Sequence, residues 1–322
     1  MPGTFKDFVW YLIFIAIIKT EFIIANMNRN YKQLLDKYLE YFPCVAIVGP
    51  RQCGKSYFLG SLPEGWKRFD MERAADRRQV EVDPDLFFRL NPRQVAIDES
   101  QELPQIFTAL RVAIDSDRAT KGRFIVTGSS SPDLVKSISE SLAGRVGIIE
   151  MAPFSLAEAF EKPVSGFYRL LTGEMGFDSI DTLLESSIDV RDVHAYWFSG
   201  GYPEPWISKD AGFSEAWQEN YFKSYLYRDI AALFPRLNKD RFRIFIQMLA
   251  GLTGKVINYA DVSRALDISQ PAAKDYFDIA HGTFFWRQLR PFDKKSVRRI
   301  VRHPKGIIRD SGLLHHLLSL MT

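Results

Sequence analysis

Cysteine is almost missing from this sequence of 322 residues: it has two, Cys44 and Cys53, with five histidines. Two cysteines make no disulfide framework, and such usage fits a reducing cytoplasm. No Cys or His spacing suits zinc, and the adjacent His315 and His316 would point about 100° apart on a helix. An excess of one charge is lacking too. The 42 basic and 39 acidic residues leave a formal charge of +3, so the position of the basic residues matters more than their sum. There is no internal repeat and no low-complexity tract. The densest apolar run, FVWYLIFIAII, is 11 residues long, short of the ~20 that a spanning helix needs. Lys19 and Glu21 interrupt its continuation, and no clear small-residue cleavage site follows. Residues 1–27 stand as a hydrophobic extension with three readings open: a membrane anchor through 8–25, a packed extra helix, or a start set too early. The amphipathic opening MNRNYKQLLDKYLEYFP from Met27 favours the last.

What is present describes a globular chain, 46% hydrophobic and 25% charged, long enough for two domains. CVAIV, KRFDM, QVAID, RFIVTG and RVGIIEM read as strands. The segments between them read as helices, including one ended by Pro43, two flanking Asp83 and Pro84, and one begun by Pro132. Buried strands alternating with helices predict an α/β unit, a parallel sheet covered on both faces, over 28–155. A mainly helical, aromatic-rich part is expected to follow, divided into a linker or lid over 156–250, a winged-helix-like unit over 251–310, and the start of a further lobe over 311–322.

GPRQCGKS follows the first strand and matches the phosphate-loop spacing at Gly49, Gly54, Lys55 and Ser56. The glycines let backbone N–H groups wrap phosphates at the start of a helix, Lys55 reaches the terminal phosphates, and the Ser56 hydroxyl binds Mg²⁺. QVAIDE supplies an acid for the same cation, Asp98, and beside it Glu99 as the base that orients a water. This predicts an ATP site with Mg²⁺ and a hydrolytic outcome. RFIVTGSSS ends the third buried strand in hydroxyls, so Thr127 or Ser129 is expected at the terminal phosphate or the attacking water. Arg145 is expected to sense that phosphate, in cis or from a neighbouring subunit, because its fork takes two oxygens at once; the alternative is a surface arginine at a strand start. Cys53, inside the loop, is either an oxidisable gate or simply a small residue that fits. A small-molecule kinase fits poorly, since Asp98-Glu99 positions water and no arginine-rich lid follows.

VAIVGPRQCGKS, VAIDESQELPQI, FIVTGSSSPDL, SLAGRVGIIEMAPFSLAEA and SGGYPEP occur in one order. In that order the chain, from about residue 28 onward, resembles the bacterial and archaeal AAA-type P-loop ATPases with a C-terminal domain of unknown function. The resemblance implies an AAA-like core that binds ATP and Mg²⁺, with Lys55, Ser56, Asp98 and Glu99 in the roles above. In the resembling family the last segment leads into a further, nuclease-like lobe whose acidic and lysine positions have no counterpart here, so the chain reads as truncated.

INYADVSRALDISQPAAKDYFDIA reads as a helix-turn-helix: Val262 and Leu266 inward, a turn at Asp267-Ile268, and Ser269 capping the second helix. TFFWRQLRPF reads as the strand of a wing. Nine Lys or Arg and one acid lie between Arg287 and Arg309, so 255–309, with Lys274, could track a DNA backbone. The other reading is packing or contact with a protein partner or a second copy of the chain, because Asp261, Asp267, Asp275 and Asp278 dilute the charge. Leu313, Leu314, Leu317 and Leu318 are expected as an open apolar patch. Together these features predict an ATPase coupling nucleotide state to DNA or a protein; the alternative is a regulatory or defence switch with little turnover.

Overall fold

Strands β1 (Cys44–Gly49) and β4 (Phe124–Ser129) are buried along their whole length, as continuous apolar runs require at the middle of a parallel sheet. The structure, a computed structural model, describes residues 29–129, 132–164, 166–171, 188–291 and 303–320. The extension 1–27 and the five basic residues of 292–302 lie outside the described residues.

Helix α1 (Tyr31–Tyr41) precedes β1 and stops before Pro43. Then follow α2 (Lys55–Gly60), β2 (Lys67–Asp70), α3 (Ala74–Glu81), α4 (Pro84–Leu90) and β3 (Val95–Asp98). Asp83 caps α4 by accepting the Leu86 N–H at 2.8 Å. Next come α5 (Ile106–Ser116), β4, α6 (Pro132–Ser141) and β5 (Val146–Glu150). The sheet is all parallel, in the order β2-β3-β4-β1-β5.

Side chains alternate across the pleat. From β1, Cys44, Ala46 and Val48 join a core with Phe87, Phe88, Phe107 and Leu110. Val45 and Ile47 face the other way, against Leu35, Phe58, Ile125 and Ile149. Insertion of β4 between β1 and β3 sets Gly49 opposite Ser129, with Asp98 at the end of the next strand. The carboxyl ends of three adjacent strands thus meet at one edge, where α/β sheets bind their ligands.

The remaining chain is helical: α7 (Leu156–Ala159), α8 (Gly166–Leu171), α9 (Val190–Ser199), α10 (Pro203–Ser208) and α11 (Ala211–Ser224). A π-helical turn, Tyr225–Ile230, carries α11 into α12 (Ala231–Leu233). Then come α13 (Lys239–Leu252), α14 (Tyr259–Leu266) and α15 (Gln270–Gly282). Asp267 takes the left-handed turn at φ 51°, and the Ser269 hydroxyl caps α15 on the Ala272 N–H. Strand β6 (Trp286–Leu289) pairs antiparallel with β7 (Lys305–Ile308), and Val256 bridges to Lys305. Helix α16 (Ser311–Leu317) follows.

One core joins this half from Tyr202 to Leu313, with Phe242, Phe245, Phe277 and Trp286 fully buried. The expected divisions at 250/251 and 310/311 therefore do not separate independent cores. The expected leucine patch is corrected: Leu313 is buried, Leu314 and Leu317 pack against that core, and only Leu318 is exposed. The reason is the buried Asp310. It caps α16 on the Leu313 N–H at 3.0 Å and accepts the Gly201 N–H at 2.8 Å. Among the described residues no helix is long and apolar enough to cross a membrane.

Candidate nucleotide site

The phosphate loop turns out of β1 at Gly49, where a Cβ would lie 2.1 Å from the Met151 carbonyl oxygen. Only glycine allows β5 to continue so close beside the loop. Gly54 meets no such crowding, but its φ of 97° is a left-handed conformation natural to glycine. It turns the chain into α2, so that the N–H groups of the first turn face the loop. Lys55, the first residue of α2, is buried, and its amine donates to the carbonyls of Gly49 at 3.2 Å and Pro50 at 2.9 Å. A buried ammonium is therefore held against the main chain of the loop, an arrangement suited to a polyphosphate. Ser56 follows on the exposed side of α2. Cys53 points the other way: fully buried in the core, with Sγ 3.7 Å from the Met151 carbonyl. The redox-gate expectation is corrected on that ground, since an oxidant cannot reach this thiol.

An arginine network fixes the loop from its far side. Arg29 donates to the carbonyls of Cys53 (3.1 Å) and Ala152 and pairs with Glu158 at 3.1 Å. Glu158 closes a capping box with Ser155 at the start of α7 and also accepts the Asn30 N–H. FSLAEA is thus read physically as the far anchor of the phosphate loop. Charge-assisted bonds to loop carbonyls are individually strong, and the guanidinium is further enclosed by the rings of Tyr31 and Phe154.

Across the strand ends, Asp98 accepts from the Thr127 hydroxyl and from the Glu99 N–H. Thr127 is buried two residues short of the end of β4, beside Asp98. In this structure its hydroxyl is engaged with Asp98 and the Glu99 N–H. Ser129, two residues on and on the same face, reaches the edge and donates to Glu99 at 3.0 Å. Glu99 takes a left-handed φ of 47°, which lifts its carboxylate off the strand line, and Gln101 donates to the same carboxylate oxygen. Such a non-glycine outlier is costly and concentrates at functional sites.

Arg145 lies elsewhere. Its carbonyl accepts from Cys44 N at the start of β1. Five residues of strand, roughly 16 Å at 3.3 Å each, separate that end from Gly49. Its guanidinium is held two-pronged by Asp115, at 2.7 and 2.9 Å, and this pairing pulls the Asp115 carboxyl below its usual range. The expected cis trigger is corrected, because strands in a parallel sheet share a direction and Arg145 precedes one instead of ending it.

The arrangement fits a magnesium nucleotide. Asp98 has one oxygen engaged by Thr127 and the Glu99 N–H, and Ser56 is exposed in the first turn of α2. Among the described residues no cluster of three or more Cys, His, Asp or Glu could hold a metal. A hard cation that borrows phosphate oxygens and waters and needs one or two protein ligands is the kind that suits this donor set.

Residues without a sequence signal complete the surroundings. Arg51 and Gln52 of the loop face Glu204, Trp217 and Tyr221 of the helical half, and Asp229 pairs with Arg51 at 3.3 Å. Tyr202 and Tyr221 share a hydroxyl contact of 2.7 Å. Behind them, Glu150 at the end of β5 binds both Arg287 and Arg309.

Residues 41–160 match the family described as AAA domain, and residues 190–322 match the family described as Domain of unknown function (DUF8612). Two relatives, Uncharacterized protein Rv2008c of Mycobacterium tuberculosis and Uncharacterized protein Mb2031c of Mycobacterium bovis, are each 33% identical over 297 residues. Those residues are 91% of this chain and 60% of each relative, so the chain spans about three fifths of their length. The Walker-type ATPase PABY2304 of Pyrococcus abyssi shares the fold with a TM-score of 0.54 at 16% identity, over 91% of this chain and 96% of its own.

Proposed function

From a chain that carries an AAA-type P-loop ATPase domain, we propose an enzyme that binds ATP with Mg²⁺, hydrolyses it, and passes nucleotide state to its helical half. The observation that carries this reading is that the loop holding the buried Lys55 leaves β1 at Gly49, in register with Ser129 at the end of β4, and that Ser129 in turn donates to Glu99 beside Asp98 at the end of β3. Lys55 and the loop N–H groups bind the phosphates. Ser56 and Asp98 would hold Mg²⁺, with Asp98 kept in place by Thr127. The cation, when bound, supplies neutralisation of charge on the terminal phosphates. Glu99 orients a water and accepts its proton as the oxygen attacks. The buried cysteines fit a reducing compartment, and we place the enzyme in the cytoplasm.

The helical half has the order of a winged helix, with α13 to α15 followed by the β6–β7 ladder. Its outward face favours a protein partner over DNA. Along α15 the exposed charges are Lys274, Asp275 and Asp278, with His281, a poor match for phosphates. Two of the basic residues expected on the wing, Arg287 and Arg309, are spent on Glu150. A second reading, a switch with little turnover, is supported by the Glu99 carboxylate being held by Ser129 and Gln101.

ATP turnover with Mg²⁺, measured with and without duplex DNA at low and high salt, separates these readings. The enzyme reading expects turnover that is indifferent to DNA. DNA stimulation at low salt, lost at high salt, would reinstate the DNA partner. Tight ATP binding without turnover would leave the switch.

A further inference from the structure

The phosphate loop carries a second cation, Arg51, and its setting is unlike that of Lys55. Its Nε lies 3.3 Å from Oδ1 of Asp229 in the π-helical turn. The same oxygen takes Nε of Arg228 at 3.1 Å. One carboxylate oxygen thus serves two guanidiniums, each through a single nitrogen, and neither makes the two-pronged pair in which arginine is strongest. Arg51 and Asp229 both border two cavities. One, of about 370 Å³, is walled also by Ser129 and Gln101, the residues that hold Glu99. The other, of about 250 Å³, is walled by Gln52 and Tyr221. On the sheet side, the charge of Arg51 is felt by Glu72, whose carboxyl is raised by burial and by Glu99 and drawn down by Arg51. Arg51 therefore stands between the hydrolytic strand ends and the carboxylate of the helical half, while its main chain belongs to the loop that wraps phosphates.

We propose that Arg51 reads the terminal phosphate of the nucleotide: a triphosphate draws its guanidinium away from Asp229, and a diphosphate leaves the pair in place. This rests on the reading that the loop binds ATP. The exchange is favoured because the terminal phosphate offers two oxygens and more than one negative charge, against a single shared carboxylate oxygen. Asp229 keeps Arg228 after the exchange, so no buried charge is stranded. The pair crosses from the loop to a π-helical turn, an irregularity that recurs at functional sites. Loss of the tie is thus felt directly by the helix joining α11 to α12.

The test is equilibrium binding of ADP and of a slowly hydrolysed ATP analogue to the full chain, with hydrogen exchange followed over 225–233. Arg51→Ala weakens the triphosphate about 10-fold or more and leaves ADP unchanged. Asp229→Asn tightens the triphosphate several-fold and ADP not at all, and it has no effect in the Arg51→Ala background. Arg51→Lys, which keeps the charge without the fork, falls between wild type and Arg51→Ala. In wild type the triphosphate speeds exchange over 225–233 and ADP does not. An equal change for both nucleotides in Arg51→Ala, or none for either, overturns the proposal while nucleotide binding stands. Failure of the wild type to bind either nucleotide overturns the ATP reading and this proposal with it.

Discussion

Single residues decide whether the phosphate loop is chemistry or decoration. Lys55 held by the Gly49 and Pro50 carbonyls, Asp98 braced by Thr127, and Glu99 lifted out of line are three separate local devices at one edge of the sheet. The motif spacing made Gly49, Gly54, Lys55 and Ser56 legible, because phosphate binding demands those residue types at those intervals. It left Arg51 unread, since nothing in the spacing assigns a role to that position. Arg145 as a cis trigger fails for a related reason: pattern reading finds a strand but not which end of it faces the ligand. With Arg145 bonded to Asp115 at the opposite edge, Arg145→Ala is expected to leave ATP turnover unchanged. Steady-state turnover of purified wild type and variant at equal concentration checks this. A fall of ten-fold or more would return Arg145 to the site.

At the scale of elements, helices and strands were readable from periodicity and caps, but the joints between them were not. In the sequence SGGYPEP stands only as the last of the ordered motifs. In the structure its Gly201 carbonyl accepts the Phe154 N–H at 2.7 Å, and its N–H donates to the buried Asp310. It is the seam joining the sheet domain, α10 and α16. No sequence pattern reports a contact across 109 residues. Asp310→Ala leaves the Gly201 and Leu313 N–H groups without partners. The expected loss is about 2 kcal/mol, with Asp310→Asn milder because it keeps one acceptor. Denaturant midpoints at neutral pH measure both, and a neutral Asp310→Ala would contradict the seam.

The same region is rich in buried phenols. Burial raises the pKa values of Tyr196, Tyr202, Tyr221 and Tyr225 above the ordinary value near 10. Folding therefore favours their protonated forms. That contribution is complete below about pH 10 and is lost as pH rises through the folded values. An alkaline titration followed by phenolate absorbance is expected to show these tyrosines ionising only together with unfolding. Their ionisation in the folded state, with circular dichroism unchanged, would contradict their burial.

For the whole molecule, the expected α/β sheet and its helical continuation were both visible in the alternation of buried strands and helices. The helical half was expected in three pieces because its caps and turns are locally sharp. It packs as one body because Trp286, Phe242 and Phe277 draw α13 to α16 around a common centre. That body touches the sheet domain at the phosphate loop through Arg51–Asp229, at β5 through Glu150, and at the domain's end through Gly201 and Phe154. The strand ends that form the candidate nucleotide site therefore lie directly against the helical half.

The most direct measurement of this account combines nucleotide binding and hydrolysis in wild type, Lys55→Ala and Glu99→Gln with Mg²⁺. Wild type is expected to bind and hydrolyse ATP. Lys55→Ala is expected to lose ten- to a hundred-fold in affinity, about the value of one strong charged contact. Glu99→Gln is expected to bind ATP as wild type does and to turn over about 100-fold more slowly or worse. Hydrolysis by Glu99→Gln at the wild-type rate, or ATP binding indifferent to Lys55, would contradict the assignment of this edge of the sheet as the catalytic site.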